Sequence, residues 1–548
     1  MADPRHDTFS FEERRRWLEE AASGIFDLLV VGGGITGAGV AREAALRGLS
    51  VILLDRGDFA SGTSSRSSKL IHGGIRYLAQ GDIGLVREAA RERSILRSIA
   101  PHLARPVRML IPAASRAGRM KLAAGLWTFE KLAGDVDDAG HEILNRSSTA
   151  KLEPGLRAAV IGGGAIAFTE YATNDARLTL ETIKAAARSG ARVANYAEVI
   201  AIRHESGGGV RATVRDLAGV GELEVRAHCL VNAAGPWFDA VNQLVDASAP
   251  RATQLTRGIH VVVPRDSLPV KHLVVLRAED ARSTFAVPSG SVVYIGTTDT
   301  LFEGSPDEPG VSPADVQYLL DSIASTFATT LCTADIVGTW SGVRPLLRAD
   351  GKRPSEISRR DEIRVGPGPV VAIAGGKLTT YRRMAERVVQ AVLELLRRQD
   401  CPAAGDSARR PLVGGSMAEQ ARSRAAAGNT VEPQLEERLW ATYGVAAAQI
   451  IEQIRTSPAT GVAIGGLDEL SVAEVEFAVW HEMAIELDDV LRRRSPVGMF
   501  HTAEACAAAG EVATIMARSL GWDVERIERD VETFRRVRLL ELGSARGD

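Results

Sequence analysis

The sequence predicts an α/β fold: a parallel-sheet domain assembled from discontinuous segments, an antiparallel-sheet domain, and a helical C-terminal domain. Three observations carry this. A glycine-rich turn joins an apolar strand to a helix near the start, runs of β-branched residues crowd the middle, and helical stripes fill the chain from residue 417 onward.

Residues 26–31 are apolar enough for a strand buried on both faces of a parallel sheet. Gly32, Gly34 and Gly37 follow with GxGxxG spacing, flanking Gly33, Ile35 and Thr36. The first glycine permits the tight turn, the second lets backbone approach a pyrophosphate, and the third packs the helix on the strand. Residues 50–54 return as a strand ending at Asp55, 23 residues past Gly32 and placed to accept a ribose hydroxyl. This is a Rossmann-like dinucleotide site. The loop beyond Arg56 is rich in small hydroxyl residues and glycines, which lets it track a long polyphosphate-linked cofactor or serve as a plain surface loop.

Further along, residues 85–99 read as an amphipathic helix and 105–112 as a strand. Asn174 or Asp175 caps a helix to Ser189, and residues 192–202 add another edge of the nucleotide domain. Residues 210–216 and 222–227 form a hairpin-like pair, and 230–235 a buried strand ending in small residues. Residues 251–365 supply the antiparallel sheet, with His260 inside an apolar run. Residues 370–376 return as a strand, and Thr379 or Thr380 caps a helix whose stripe is Met384, Val388, Val392, Leu395 and Leu396.

Charged residues make up 25% and apolar ones 45% of the 548, an ordinary soluble balance. The 66 Lys and Arg against 69 Asp and Glu, net −3, point away from nucleic acid. The four cysteines lack CxxC spacing, which argues against a metal centre or disulfide framework and fits a reducing cytosol. Residues 1–24 read as a polar extension with a short exposed helix, and no apolar run is long enough to span a membrane. Residues 116–132 mix Arg116, Arg119, Lys121 and Lys131 with Met120, Leu122, Leu126, Trp127, Phe129 and Leu132, as suits either an interfacial helix or one packed on its own domain.

Four strings also carry a resemblance: TSSRSSKLIHGGIRYL from Thr63, NAAGPW from Asn232, SGVRPL from Ser341 and AGGKLTTYR from Ala374. In that order they resemble the signatures of the FAD-dependent glycerol-3-phosphate dehydrogenases, the aerobic, quinone-reducing kind. The resemblance covers residues 25–400 well and implies a glutathione-reductase-type FAD domain over residues 25–105, 170–250 and 366–400. A substrate domain would occupy residues 106–169 and 251–365, a linker 401–416 and the helical domain 417–548. Cofactor contacts then fall on Gly32, Gly34, Ile35, Thr36, Gly37, Asp55, Arg56, Thr63, Ser64, Ser67, Ser68, Lys69, Leu70, His72 and Gly73. Val199, Ala234, Gly235, Gly375, Gly376, Leu378 and Thr379 complete them.

The implied substrate is glycerol 3-phosphate, and the implied acceptor a membrane quinone reached peripherally from the cytoplasmic face. A phosphate dianion asks for arginine forks. Arg344, Arg360 (beside Arg359) and Lys377 are assigned to phosphate and reacting oxygens, with Arg76, Tyr77 and Thr298 completing the pocket. Taken singly, each arginine reads as a surface ion-pair partner; the motif contexts reverse that for Arg344 and Lys377. By the resemblance His260 is the general base, with Lys377 or a water on Arg344 as alternatives, while His72 can approach the flavin ring and its part in the chemistry is open. An oxygen-using oxidase, an amine oxidase and a non-catalytic flavin-binding interaction protein remain open, as does a homo-oligomer.

Overall fold

The computed structural model describes residues 9–72, 83–133, 140–219, 221–280, 282–348, 361–398, 400–402, 404–428 and 431–547. Two large sheets lie behind the glycine turn. The first has the order Glu362–Val365, Val370–Ala374, Gly221–Asn232, Ile25–Val31, Val51–Leu54, Arg192–Ala194, and its pairs are parallel except at the Glu362–Val365 edge. Ile25–Val31 is apolar throughout because both its faces are covered. Leu28 and Val30 pack with Ala38, Ala41, Val388 and Val392 of two helices, Ile35–Leu46 and Tyr381–Leu395. Leu29 and Val31 turn to Val199, Val214 and Val225 of an antiparallel meander on the other side. Fully burying each such side chain contributes about 1.5–3 kcal/mol.

The second half of the expected hairpin and the expected buried strand are one element. Gly221–Asn232 pairs antiparallel with Val210–Asp216 at its start and parallel with Ile25–Val31 at its end, joining meander and core sheet in one rod. Asn174 caps Asp175–Arg188 through its side chain, which accepts from the Arg177 amide at 3.1 Å. Phe11–Ala21, expected to be exposed, packs instead. Trp17, Leu18 and Ala21 are buried, and Arg14 pairs with Asp216 at 2.5 Å inside the fold.

The ten-stranded second sheet is antiparallel except where Leu273–Arg277 runs parallel to Arg105–Ala113. A helix absent from the sequence reading, Pro313–Thr326, covers one face through Val316, Leu319, Leu320 and Ile323. Two boundaries shift. Glu362–Val365 belongs to the first sheet rather than the substrate domain, and Leu70–Ile71 pairs with Gly164–Ala172 in the second.

The stretch read as a linker is a packed strap. Arg42 donates to the carbonyls of Ser407 (3.0 Å) and Arg410 (2.5 Å), and Leu412 is buried with its amide on the Ile99 carbonyl at 2.8 Å. The C-terminal domain is helical apart from a small hairpin, Ala463–Ile464 with Leu467–Ser471, and a π-helical turn, Asp489–Arg494.

A methyl group at Gly37 would lie 1.8 Å from the Gly32 carbonyl oxygen, whereas Gly48 has open space and only its φ of +77° to satisfy. Gly37→Ala is expected to cost about 1–3 kcal/mol or more by forcing turn and helix apart. Gly48→Ala is expected to cost about 1 kcal/mol from its left-handed backbone alone. Thermal melts of the two variants check the order.

Candidate active site

Between the sheets lies a cavity of about 1410 Å³. The nucleotide side contributes Gly32, Gly34, Ile35, Thr36, Asp55, Arg56, Thr63, Ser64, Ser67, Ser68, Leu70, His72, Val199, Ala234 and Gly235 to its wall. Gly375, Gly376, Lys377, Leu378 and Thr379 close it, and the second sheet adds Thr297, Thr298, Asp299, Gly342 and Arg344. Of the residues expected there, Gly73, Arg76, Tyr77, Arg359 and Arg360 lie outside the described residues. Gly37 and Lys69 sit behind the wall.

The glycine cradle is tight. A Cβ on Gly32 would meet the Ala233 carbonyl oxygen at 2.7 Å, and one on Gly34 the Ser64 hydroxyl at 3.1 Å. The Asp55 carboxylate accepts from the Gly33 amide (2.6 Å) and the Gly57 amide (2.8 Å), fixing the turn and the loop to one another. Asn232 holds the opposite rim. Its side chain donates to the Phe238 carbonyl (2.9 Å) and accepts from the Ala234 amide (3.1 Å), which folds the NAAGPW turn. Trp237 stacks under the Arg56 guanidinium at 4.4 Å, and its buried indole N–H has no protein partner among the described residues. This long groove, with a ribose-type acid, a glycine cradle and a helix start beyond Gly375, fits FAD. The helix itself begins at Tyr381, after a 3-10 turn at Leu378–Thr380.

Lys69 was expected to touch the cofactor. It lies buried, with Nζ on Asp175 Oδ1 at 2.7 Å and on the Ser65 carbonyl at 3.1 Å. Its backbone holds a left-handed φ of +53°. Ser67 places both its amide (2.9 Å) and its hydroxyl (2.6 Å) on the other oxygen of Asp175. Lys69 therefore shapes the loop.

His260, expected as the general base, does not reach the cavity wall. Its ring is 1% exposed, stacks on Trp340 at 4.5 Å and 11°, and has Nε2 on the Ser68 hydroxyl at 2.9 Å. Burial, reinforced by Arg344 and Lys69, drives its pKa well below the usual histidine value and keeps it neutral. It buttresses Ser67–Ser68 from behind, as do the Trp340 indole N–H on the Ser67 carbonyl (3.2 Å) and the Tyr294 hydroxyl on the Ser68 carbonyl (3.1 Å). The histidine on the wall is His72, whose carbonyl accepts from the Thr379 hydroxyl at 3.3 Å.

Arg344 projects from Gly338–Leu347. Its fork donates to the Thr298 carbonyl (3.2 Å), Asp299 Oδ1 (3.2 Å) and the Thr297 hydroxyl (3.0 Å). The Thr298 hydroxyl accepts from the Ile259 amide at 3.1 Å, so this loop is held from both sides. The sequence reading missed Arg282, which reaches the Asp299 carbonyl at 3.1 Å, and an apolar end lined by Leu85, Met109, Ile111, Leu122, Val275 and Phe285. Met109 and Ile111 lie two apart in one strand, the period that puts both on one face.

Burial pushes the Asp55 carboxyl up to about 6 against the pull of its two amide donors. Below that pH the free site holds a neutral acid, and only the carboxylate accepts a ribose hydroxyl while keeping both amides. FAD affinity is therefore expected to be flat above pH 6 and to fall by about tenfold per pH unit below it. Released-flavin fluorescence across pH measures this.

Residues 27–382 match the family model described as FAD dependent oxidoreductase, and residues 406–527 the one described as the C-terminal domain of alpha-glycerophosphate oxidase. A Mycobacterium leprae protein named glycerol-3-phosphate dehydrogenase is 35% identical over 98% of this chain and 92% of its own. The aerobic glycerol-3-phosphate dehydrogenase of Bacillus subtilis is 33% identical over 96% and 97%. The crystal structure of glycerol-3-phosphate dehydrogenase from Bacillus halodurans complexed with FAD is 29% identical, with a TM-score of 0.80 over 98% of this chain and 99% of that one. The chain belongs to the FAD-dependent oxidoreductase family, among the glycerol-3-phosphate dehydrogenases.

Proposed function

We propose that the chain oxidises sn-glycerol 3-phosphate to dihydroxyacetone phosphate and passes the electrons to a quinone. The observation that carries this reading is that Arg344, Lys377 and His72, from three different segments, all line the cavity that holds the glycine cradle. Bound FAD supplies an acceptor for the hydride leaving the carbinol carbon. Arg344, its fork oriented by Thr297, Thr298 and Asp299, binds the phosphate with Lys377. Thr298 borders the same pocket, and Arg76, Tyr77 and Arg360 are assigned to it by their motifs. The His72 imidazole takes the hydroxyl proton as the C–H bond breaks and the ketone forms. Apolar walls from Met109, Ile111 and Phe285 keep water from competing.

The quinone and membrane parts of this reading rest on Arg116–Ala133. That helix turns Ala123 and Leu126 inward, exposes Met120 and Trp127 among Arg116, Lys121 and Lys131, and lends Leu122 to the apolar end of the cavity. Such a face suits peripheral attachment to the anionic inner surface of the cell membrane. Among the described residues no helix is long and apolar enough to cross a membrane. The C-terminal match to a glycerophosphate oxidase domain favours one second reading, with oxygen as the acceptor.

Adding sn-glycerol 3-phosphate anaerobically should bleach the oxidised flavin band, while glycerol and glycine leave it unchanged. No bleaching in FAD-loaded protein overturns the substrate. Reoxidation by a soluble quinone faster than by oxygen separates the two acceptors. Arg344→Gln is expected to raise the KM for glycerol 3-phosphate about 100-fold, the loss of one charged partner. His72→Gln should slow bleaching about 10²- to 10⁴-fold. If His260→Gln slows it more than His72→Gln does, the base has been misassigned.

A further inference from the structure

Asp58 lies three residues past the ribose acid Asp55, is 1% exposed, and has no place in the chemistry above. Its carboxylate is gripped by the π-helical turn of the C-terminal domain. Arg494 donates Nη1 to Oδ2 at 2.6 Å and Nη2 to Oδ1 at 2.9 Å, a two-pronged contact. Arg493 adds Nε to Oδ2 at 2.6 Å, and Asn195 adds Nδ2 to Oδ1 at 3.1 Å. Burial raises the pKa of this carboxyl, and the two guanidiniums more than reverse that, so Asp58 stays ionised.

The grip extends along the edge of the sheet. The Tyr196 hydroxyl donates to Asp489 Oδ1 at 2.7 Å, and Asn195 donates to the Met483 carbonyl at 3.0 Å. Arg493 returns to Asp489 at 2.5 Å and Asp488 at 2.8 Å, and Arg494 donates to the Glu482 carbonyl at 2.6 Å. The C-terminal turn thus holds both backbone segments that flank the acid.

Those segments carry the cofactor wall. The Gly57 amide binds Asp55, and the Gly57 carbonyl accepts from the Tyr196 amide at 2.9 Å. The Ala60 amide binds the Gly33 carbonyl at 3.1 Å, and the Ser61 amide binds the Asp58 carbonyl at 3.1 Å. A shift of residues 57–60 therefore moves the acid and the glycine turn together.

We propose that the C-terminal domain is part of the cofactor-holding apparatus: Arg493 and Arg494, through Asp58, and Asp489, through Tyr196, position the Asp55 loop for the ribose of FAD. Arg494, Asp58 and Tyr196 are positioning residues, since none lines the cavity. Binding free energies are reciprocal, so FAD also ties the C-terminal domain to the nucleotide domain. The inference rests on FAD as the cofactor and is independent of the substrate and acceptor.

The test dilutes the holoenzyme serially and reads free-flavin fluorescence, giving a Kd for FAD, beside a thermal melt of each protein. Asp58→Asn and Arg494→Gln should weaken FAD binding about tenfold or more, within the range of coupling between linked sites, and Tyr196→Phe about threefold. Ile450→Ala opens a hole in a different C-terminal core cluster, one that contains no residue of this network. It should lower Tm and leave Kd within about twofold. A parental Kd in folded Asp58→Asn and Arg494→Gln overturns the proposal. So does a Kd that follows Tm through all four variants, because the effect is then general loosening. If neither charge variant folds, Tyr196→Phe, which removes a single hydroxyl, decides by the same comparison: a weakened Kd at parental Tm supports the proposal, an unchanged Kd overturns it.

Discussion

The site depends on how a loop with little secondary structure of its own is held still between two sheets, and Asp175 is where it is held. This carboxylate is fully buried at the start of Asp175–Arg188 and takes the amide and hydroxyl of Ser67 on one oxygen and the ammonium of Lys69 on the other. A buried carboxylate needs that many donors, because an unsatisfied one costs several kcal/mol. Satisfying it dictates the path of residues 65–70 and leaves Lys69 with a left-handed backbone. From there the chain enters the second sheet at Leu70–Ile71, and His72 emerges on the cavity wall.

Other parts of the molecule brace the same loop from outside. His260, Tyr294 and Trp340 of the second sheet hold Ser67 and Ser68, while Thr63 donates to the Val343 carbonyl at 2.5 Å. Because these contacts come from the sheet that also presents Arg344, the cofactor wall and this cavity-lining arginine share one rigid frame. A reaction in which hydride crosses between cofactor and substrate requires such a frame, since small misplacements of the reacting atoms are costly.

Features that depend on near neighbours in the chain were legible. The glycine turn, Asp55, the turn after Asn232 and the stripe of Tyr381–Leu395 each declare themselves by spacing, and their residues line or underlie the cavity. The burial of His260 behind the wall was not legible, for a physical reason. In Thr253–Pro264, Ile259, Val261 and Val263 face one core, while Val262 and His260 face Trp340 in another. With both faces buried, alternation cannot say which face meets a cavity. The role of Asp58 was invisible because its partner Arg493 lies 435 residues away. The parallel pairing of Leu273–Arg277 with Arg105–Ala113 left no local trace for the same reason.

Sheet order also sets a timetable. Gly34 and Gly375 line one cavity although the first belongs to the opening strand–turn–helix and the second follows Val370–Ala374, two strands away across the sheet. A ribosome adding about 5–20 residues per second spends many seconds between the two. The early strands Ile25–Val31 and Val51–Leu54 must wait for the central partner Gly221–Asn232 before their sheet can close. Flavin capture thus waits until about two-thirds of the chain has been made, and the first strands made have their apolar faces uncovered for the longest time.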